Sequence, residues 1–404
     1  MPMQWASVSS SESTLSKAVT DAANQLLSAL DGAEPDLVIA FVSPHYGVEF
    51  VALNELLRRE FESALLCGCT GVGVIGGGHE LEGQPALALM GAVLPDVHLH
   101  AVHLEQQITP PVYAERRLWQ AALGLGVRAG AGVDDPHPDC MLLLADPFSF
   151  AAESFLAGLD RQFPSTVKFG GLASGMEQAD TPCLLLNERI YHSGCLCLMM
   201  SGNIAVETIV AQGCRPIGDP MFANAVHENL ILELDGKMPR EALTDLYQRI
   251  KRSDRKLFTD QLFIGLAMQP QREHYGAGDF LIRTILGLDP DSGALLVNTN
   301  VPAHTVVQLH LRDAVTSAQD LEQLLRQYQA TRGARQIHGA LLLSCLGRGA
   351  EFYGHTDHDS NAFRQHLGDV PIAGLFCNAE IGPVRGVTYQ HGYTSVFGLF
   401  TTKH

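Results

Sequence analysis

The residues able to do chemistry sit in short loops that follow apolar runs. Cys345 closes the run GALLLSC and is followed by Leu346-Gly347-Arg348-Gly349. A thiol at the carboxyl end of a strand, before a glycine-rich loop, stands where open sheets place their ligands. A guanidinium three residues on would favour the thiolate and could fork onto a carboxylate. The alternative is a buried core thiol, the plainer reading when no Cys-His pairing can be seen. Asn378-Ala379-Glu380-Ile381-Gly382 follows another apolar run, GLFC, and sets two polar side chains just past a strand, although Asn and Gly also suit turns. If both strands end at one sheet edge, Cys345, Arg348, Asn378 and Glu380 line one pocket. His45 and Tyr46 occupy the matching place after an earlier run, with Ser43 beside them, and Asp146 and Phe148 after a third.

Two further motifs carry competing readings. His355, Asp357, His358 and Asp359 form the densest group of possible metal ligands. Neighbours in one loop cannot all converge on an ion, and no HExxH or spaced Cys/His set is present. Asp359 or Ser360 capping a helix that begins near Asn361 is the structural alternative. Gly71-Val72-Gly73-Val74-Ile75-Gly76 spells the dinucleotide fingerprint, but a helix should open after it, and GGGHELEGQPALAL leads into a strand instead. The glycines then serve a tight turn with positive φ or a close backbone approach. His98, His100 and His103 alternate along a strand and read as solvent-facing.

The elements that must position these groups recur. From Pro35 the order is an apolar strand ending in Ser-Pro, a helix with Leu53, Leu56, Leu57 and Phe61 on one face, a glycine-broken apolar run and a further strand. The order returns from Pro138 and again from Gly339, with Gly68 and Gly170 at matching places. A helix between two strands of one sheet implies a parallel pair with a right-handed crossover. The strand after each glycine-rich loop makes the sheets mixed. The expected fold is therefore α/β (mixed α+β), with duplicated β-α-β-β units in sheets flanked by helices. A strand is expected over 203–212, a short helix over 220–227, a helix over 239–250 and a hairpin turning at Asp-Pro-Asp-Ser-Gly. The expected division is an N-terminal extension over 1–34, a first domain over 35–234, a boundary over 235–256 and a second domain over 257–404.

Composition limits the function. The 404 residues carry Lys+Arg 27 against Asp+Glu 44, a net charge of −17, which repels nucleic acid and anionic membrane surfaces. No apolar stretch approaches the roughly 18 residues needed to span a bilayer, and MPMQWASVSSSES has no secretory pattern. Nine scattered Cys, several inside apolar runs, read as reduced core thiols of a cytoplasmic protein.

The segments PDLVIAFVSPHYG, GCTGVGVIGGG and QGCRPIG resemble the N-terminal FIST domain (F-box and intracellular signal transduction proteins). FLIRTILGLDP, LLLSCLGRG, HTDHDS, VPIAGLFCNAEIGP and HGYTSVFGLF resemble its C-terminal partner domain, so the likeness runs from residue 35 to the end. The resemblance implies a sensory module binding a small ligand, with amino acids or their derivatives as the suggested class. It is expected to act through a separate signalling protein, because the few residues outside the match leave no room for an F-box or kinase segment. Arg348 would hold an anionic group of the ligand, and Asn378 and Glu380 a polar or amino group. No cofactor is expected. The alternatives are an enzyme using Cys345 as nucleophile or the 355–359 cluster as a metal site, and a protein-interaction scaffold.

Overall fold

The computed structural model describes residues 2–126, 137–175, 178, 181, 183–269, 272–276 and 278–403. The chain divides into two compact units, Met1–Val210 with Leu324–Gln390 and Thr394–His404, and Ala211–Gln323 with His391–Tyr393. The fold is mixed α/β.

The first unit holds three six-stranded sheets with one shared plan. Each has a central parallel pair: Leu37–Val42 with Leu65–Thr70, Cys140–Ala145 with Val167–Leu172, and Gly339–Cys345 with Ile372–Cys377. Each pair is joined by helix and flanked by an antiparallel strand, Leu87–Val93, Cys195–Gly202 or Ser395–Thr401. The other edge is completed by a hairpin from a different segment. Gly73–Gly76 and His79–Glu82 join the third sheet, Leu184–Leu186 and Arg189–Tyr191 the first, and Glu380–Val384 and Val387–His391 the second. The three sheets are thus tied in a cycle.

The sequence dictates much of this. All three parallel pairs bury both faces, which is why their strands read as unbroken apolar runs. Ile39, Phe41, Leu142, Leu144, Leu341 and Leu343 from the three sheets meet in one core. Helix Leu15–Ala29 covers the first sheet with Leu15, Ala18, Val19, Ala22 and Leu26. Helix Ala152–Gln162 covers the second with Phe155, Leu156 and Leu159. Gly68, Gly170 and Gly374 stand opposite Ala40, Leu143 and Leu342, and at each a Cβ would strike the carbonyl of the facing residue. Gly77 and Gly78, at φ +60 and +82, make the hairpin turn of the 73–82 segment. Within the fingerprint Gly73–Gly76 is strand, and Gly71, Gly73 and Gly76 serve a close approach, since a Cβ at each would come within 3.0 Å of a neighbour.

The second unit contains a closed six-stranded barrel, in the order Cys214–His227, Leu230–Leu234, Leu295–Val297, Phe280–Leu288, Leu262–Ala267 and Thr305–Arg312. Helix Pro239–Arg249 packs Ala242, Leu243 and Leu246 onto its core. The expected helix over 220–227 is instead the end of a 14-residue strand. Its ladder to Thr305–Arg312 shifts register between Ile217 and Met221, and this irregularity accommodates Pro220. Barrel closure, a long-range demand, overrides the local signal.

Candidate functional site

The carboxyl ends of the three parallel pairs interlock through backbone and one side chain, all within the first unit. Ser174 N donates to Thr70 O at 3.1 Å, and Asn378 N to Leu172 O at 2.9 Å. In the third link a hydroxyl intervenes: Val72 N donates to Ser174 Oγ at 2.8 Å, and Ser174 Oγ donates to the carbonyl of Phe376. Around this hub Ser43, Asp146 and Cys345 occupy equivalent places, three residues beyond Ala40, Leu143 and Leu342. Their N–H groups donate to the carbonyls of Ala86, Gly194 and Thr394, each at 2.9 Å.

The side chains at those places do one job by different means. Ser43 Oγ accepts Ala86 N at 2.9 Å. Asp146 accepts the Ser149 hydroxyl, and Ser149 Oγ accepts Gly194 N at 2.9 Å. Beside Cys345 the acceptor comes from elsewhere, with Glu380 Oε2 taking Thr394 N at 3.0 Å. Glu380 is fully buried, and the Cys377 thiol donates to it at 3.6 Å. Burial pushes its carboxyl up to about 8, against the pull of the Thr394 N–H, the Cys377 thiol and the Arg348 charge.

Arg348 lies at 2% exposure, and the carboxylate onto which it forks belongs to the chain itself. Its Nε and Nη2 donate to Asp359 Oδ2 and Oδ1, both at 3.0 Å. Asp359 also accepts Ser344 Oγ at 3.2 Å and Ser395 Oγ at 2.5 Å, and pairs with His358 Nδ1 at 2.9 Å. Burial opposes charge on Asp359, yet Arg348 and these donors hold its carboxyl well below the usual range. Tyr353 lies under the Arg348 guanidinium and stacks on His358 at 3.5 Å.

The exchanged hairpin is latched onto the same region. Glu80 Oε1 accepts Ser360 N at 2.8 Å and Ser360 Oγ at 2.9 Å, Asp357 Oδ1 accepts Glu80 N at 2.6 Å, and Glu82 Oε1 accepts Ala350 N at 2.9 Å. Burial, then the Asp359 charge, pushes the Glu80 carboxyl up to about 8.

The fold thus brings Cys345, Arg348 and Glu380 into one buried cluster. Asn378 joins them at the hub with its side chain exposed, and His45 is exposed beside Ser43, Nδ1 to Oγ 3.4 Å. Tyr46 turns away into the helix-covered core, donating to Glu12 O at 2.8 Å; burial, then the Glu49 and Glu12 charges, raises its hydroxyl to about 12. The 355–359 residues do not converge. His355 is exposed, Asp357 holds the hairpin and Asp359 holds Arg348. Among the described residues no three His, Cys, Asp or Glu are placed to hold a metal ion. Asp359 and Ser360 lie inside helix His358–Leu367 rather than capping it. His98 and His100 are exposed, but His103 stacks on Tyr191 at 3.7 Å. Sequence reading missed Ser344, Ser395 and Glu80. The signal was present in the two serines, each embedded in an apolar run and paired across adjacent strands.

Three sheets joined around such a hub, together with a β-barrel unit, define a mixed α/β protein with a buried polar centre. The FIST N domain matches residues 36–237 and the FIST C domain residues 241–383, and the chain belongs to the FIST family. FIST domains are in general sensory, small-ligand-binding domains of signalling proteins. An uncharacterized protein of Mycobacterium tuberculosis is 32% identical over 384 residues, covering 95% of this chain and 96% of that one. Another, of Mycobacterium bovis, is 30% identical over 387 residues, covering 95% of each. Among solved structures, the cyanuric acid hydrolase of A. caulinodans aligns over 99% of both chains, at 10% identity and a TM-score of 0.33. No helix among the described residues is long and apolar enough to cross a membrane.

Proposed function

We propose that the protein is a sensory module for a small ligand of the amino-acid class, bound at the strand-end hub and acting through a separate signalling protein. One observation supports this reading: three crossovers end at a single hydrogen-bonded hub, and the loops that leave it carry the exposed residues Asn378 and His45. Crevices beyond the carboxyl ends of parallel strands are where α/β sheets bind ligands. Asn378 presents both donor and acceptor groups, and His45 a nitrogen of either kind. Glu380 is buried and accepts Thr394 N, and Arg348 is buried and bonded to Asp359, so in this reading these groups hold the hub rigid rather than contact the ligand. The compartment is taken to be the cytoplasm, and nine free, buried thiols support that choice.

Isothermal titration against the amino acids and their simple derivatives tests the reading. A ligand found this way binds about fivefold to tenfold more weakly to Asn378→Ala and to His45→Ala, the worth of about one hydrogen bond each. Failure of every compound to bind, or a ligand indifferent to both substitutions, refutes it.

A further inference from the structure

The opposite ends of the three parallel pairs also correspond, and here one corner differs. Asp36, Asp139 and His338 directly precede the first strands of the three parallel pairs, with their N–H groups donating to Ala92 O, Met200 O and Phe400 O, each at 2.8 Å. At two corners the side chain closes the adjoining turn. Asp36 Oδ2 accepts Leu94 N at 2.7 Å, and Asp139 Oδ2 accepts Gly202 N at 3.1 Å. At the third corner the corresponding side chain is an imidazole. It lines a cleft of about 590 Å³ with Arg335, Gln336, Lys403, Asn203 and Asp96, a volume within the ordinary range of small-molecule sites.

The lining has a definite chemistry. It carries two cations, Arg335 and Lys403, and one carboxylate, Asp96, in a chain of net charge −17. Both cations also pair with acids outside the lining. Arg335 pairs with Glu207, and Lys403 Nζ with Asp139 Oδ1 at 2.6 Å. An ammonium has three N–H donors and a guanidinium five, so each pair leaves donor capacity on the same head group. Burial lowers the pKa of His338 and so favours its neutral imidazole, which has one hydrogen-bond donor and one acceptor. Gln336 and Asn203 add neutral polar atoms; Asn203 Oδ1 already accepts Lys403 N at 3.1 Å, which fixes the wall.

We propose that this cleft is a second binding site, distinct from the hub, for a small organic anion bearing more than one carboxylate, gripped between Arg335 and Lys403 beside His338. Two cations contributed by different segments of the chain offer one partner to each of two carboxylates. The inference stands independently of the hub reading.

The test is titration of the full chain with succinate and with citrate, with inorganic phosphate as the comparison, each at low and at high salt. Citrate or succinate is expected to bind, more weakly at high salt. Arg335→Gln and Lys403→Gln should each weaken binding about tenfold or more, the worth of a charge-assisted hydrogen bond. His338→Asp installs the residue that the other two corners carry, so its circular dichroism and melting temperature should match the parent while binding is lost to charge repulsion. Asn378→Ala, at the hub, should change none of this. Failure of both carboxylates to bind overturns the proposal, as does binding indifferent to all three cleft substitutions. Binding of phosphate alone overturns the ligand class.

Discussion

Substituting Asp359→Asn should be among the most damaging single changes in the protein. The carboxylate accepts both Nε and Nη2 of Arg348, and it also accepts Ser344, Ser395 and His358. Asparagine keeps the size but removes the charge, and it turns one acceptor atom into a donor facing other donors. Breaking a buried ion pair from one side costs about 3–5 kcal/mol, because the remaining charge stays buried. At the size of the first unit each kcal/mol is worth about 2 °C, so the melting temperature should fall by about 6–10 °C. Replacing both partners, Arg348→Met with Asp359→Leu, removes the stranded charge as well. That double variant should be more stable than the sum of its single variants implies, with a coupling of about 2 kcal/mol or more. Urea unfolding followed by far-UV circular dichroism, run as a double-mutant cycle, measures this. A cost below about 1 kcal/mol for Asp359→Asn, or strict additivity, would refute the view that the pair is a closed structural element and would reopen Arg348 to ligand binding.

Two further predictions concern titration and thiols. Glu80 and Glu380 are raised to about 8 in the folded chain, whereas an unfolded Glu titrates near 4.3. Between those values the folded state holds more protons, so stability should fall as pH rises from about 5 to 8, by at most about 1.4 kcal/mol per pH unit for each group. Glu380→Gln should flatten the slope; unfolding curves at pH 5 and pH 8 that coincide in the parent chain would contradict the assignment. For the thiols, all nine cysteines are free and buried, and burial raises those of Cys67, Cys69, Cys140, Cys195, Cys197 and Cys377. A disulfide-exchange reagent should therefore label almost none in the native protein and nine after denaturation. Rapid labelling of Cys345 would favour the nucleophile reading instead.

The sequence by itself determined the strands of the three parallel pairs, their crossovers and the matching places of Gly68 and Gly170. Runs such as LVIAFV and ALLLSC have no alternation because both faces are buried, and Gly68, Gly170 and Gly374 are needed because a carbonyl lies where a Cβ would go. It also located the loops that meet at the hub, since a parallel crossover returns each strand end to one edge. Partners distant in the chain were decided by tertiary structure alone. No local pattern says that the 73–82 hairpin completes the third sheet, that Glu80 bonds Ser360 across 280 residues, or that 220–227 closes a barrel. Arg348 illustrates the reason. A short loop can announce a cation, but whether that cation faces a ligand or an internal carboxylate depends on helix His358–Leu367 folding back to place Asp359 against Ser344 and Ser395. Burial then makes the pairing obligatory, because a charge taken out of water must find its counterion within the protein.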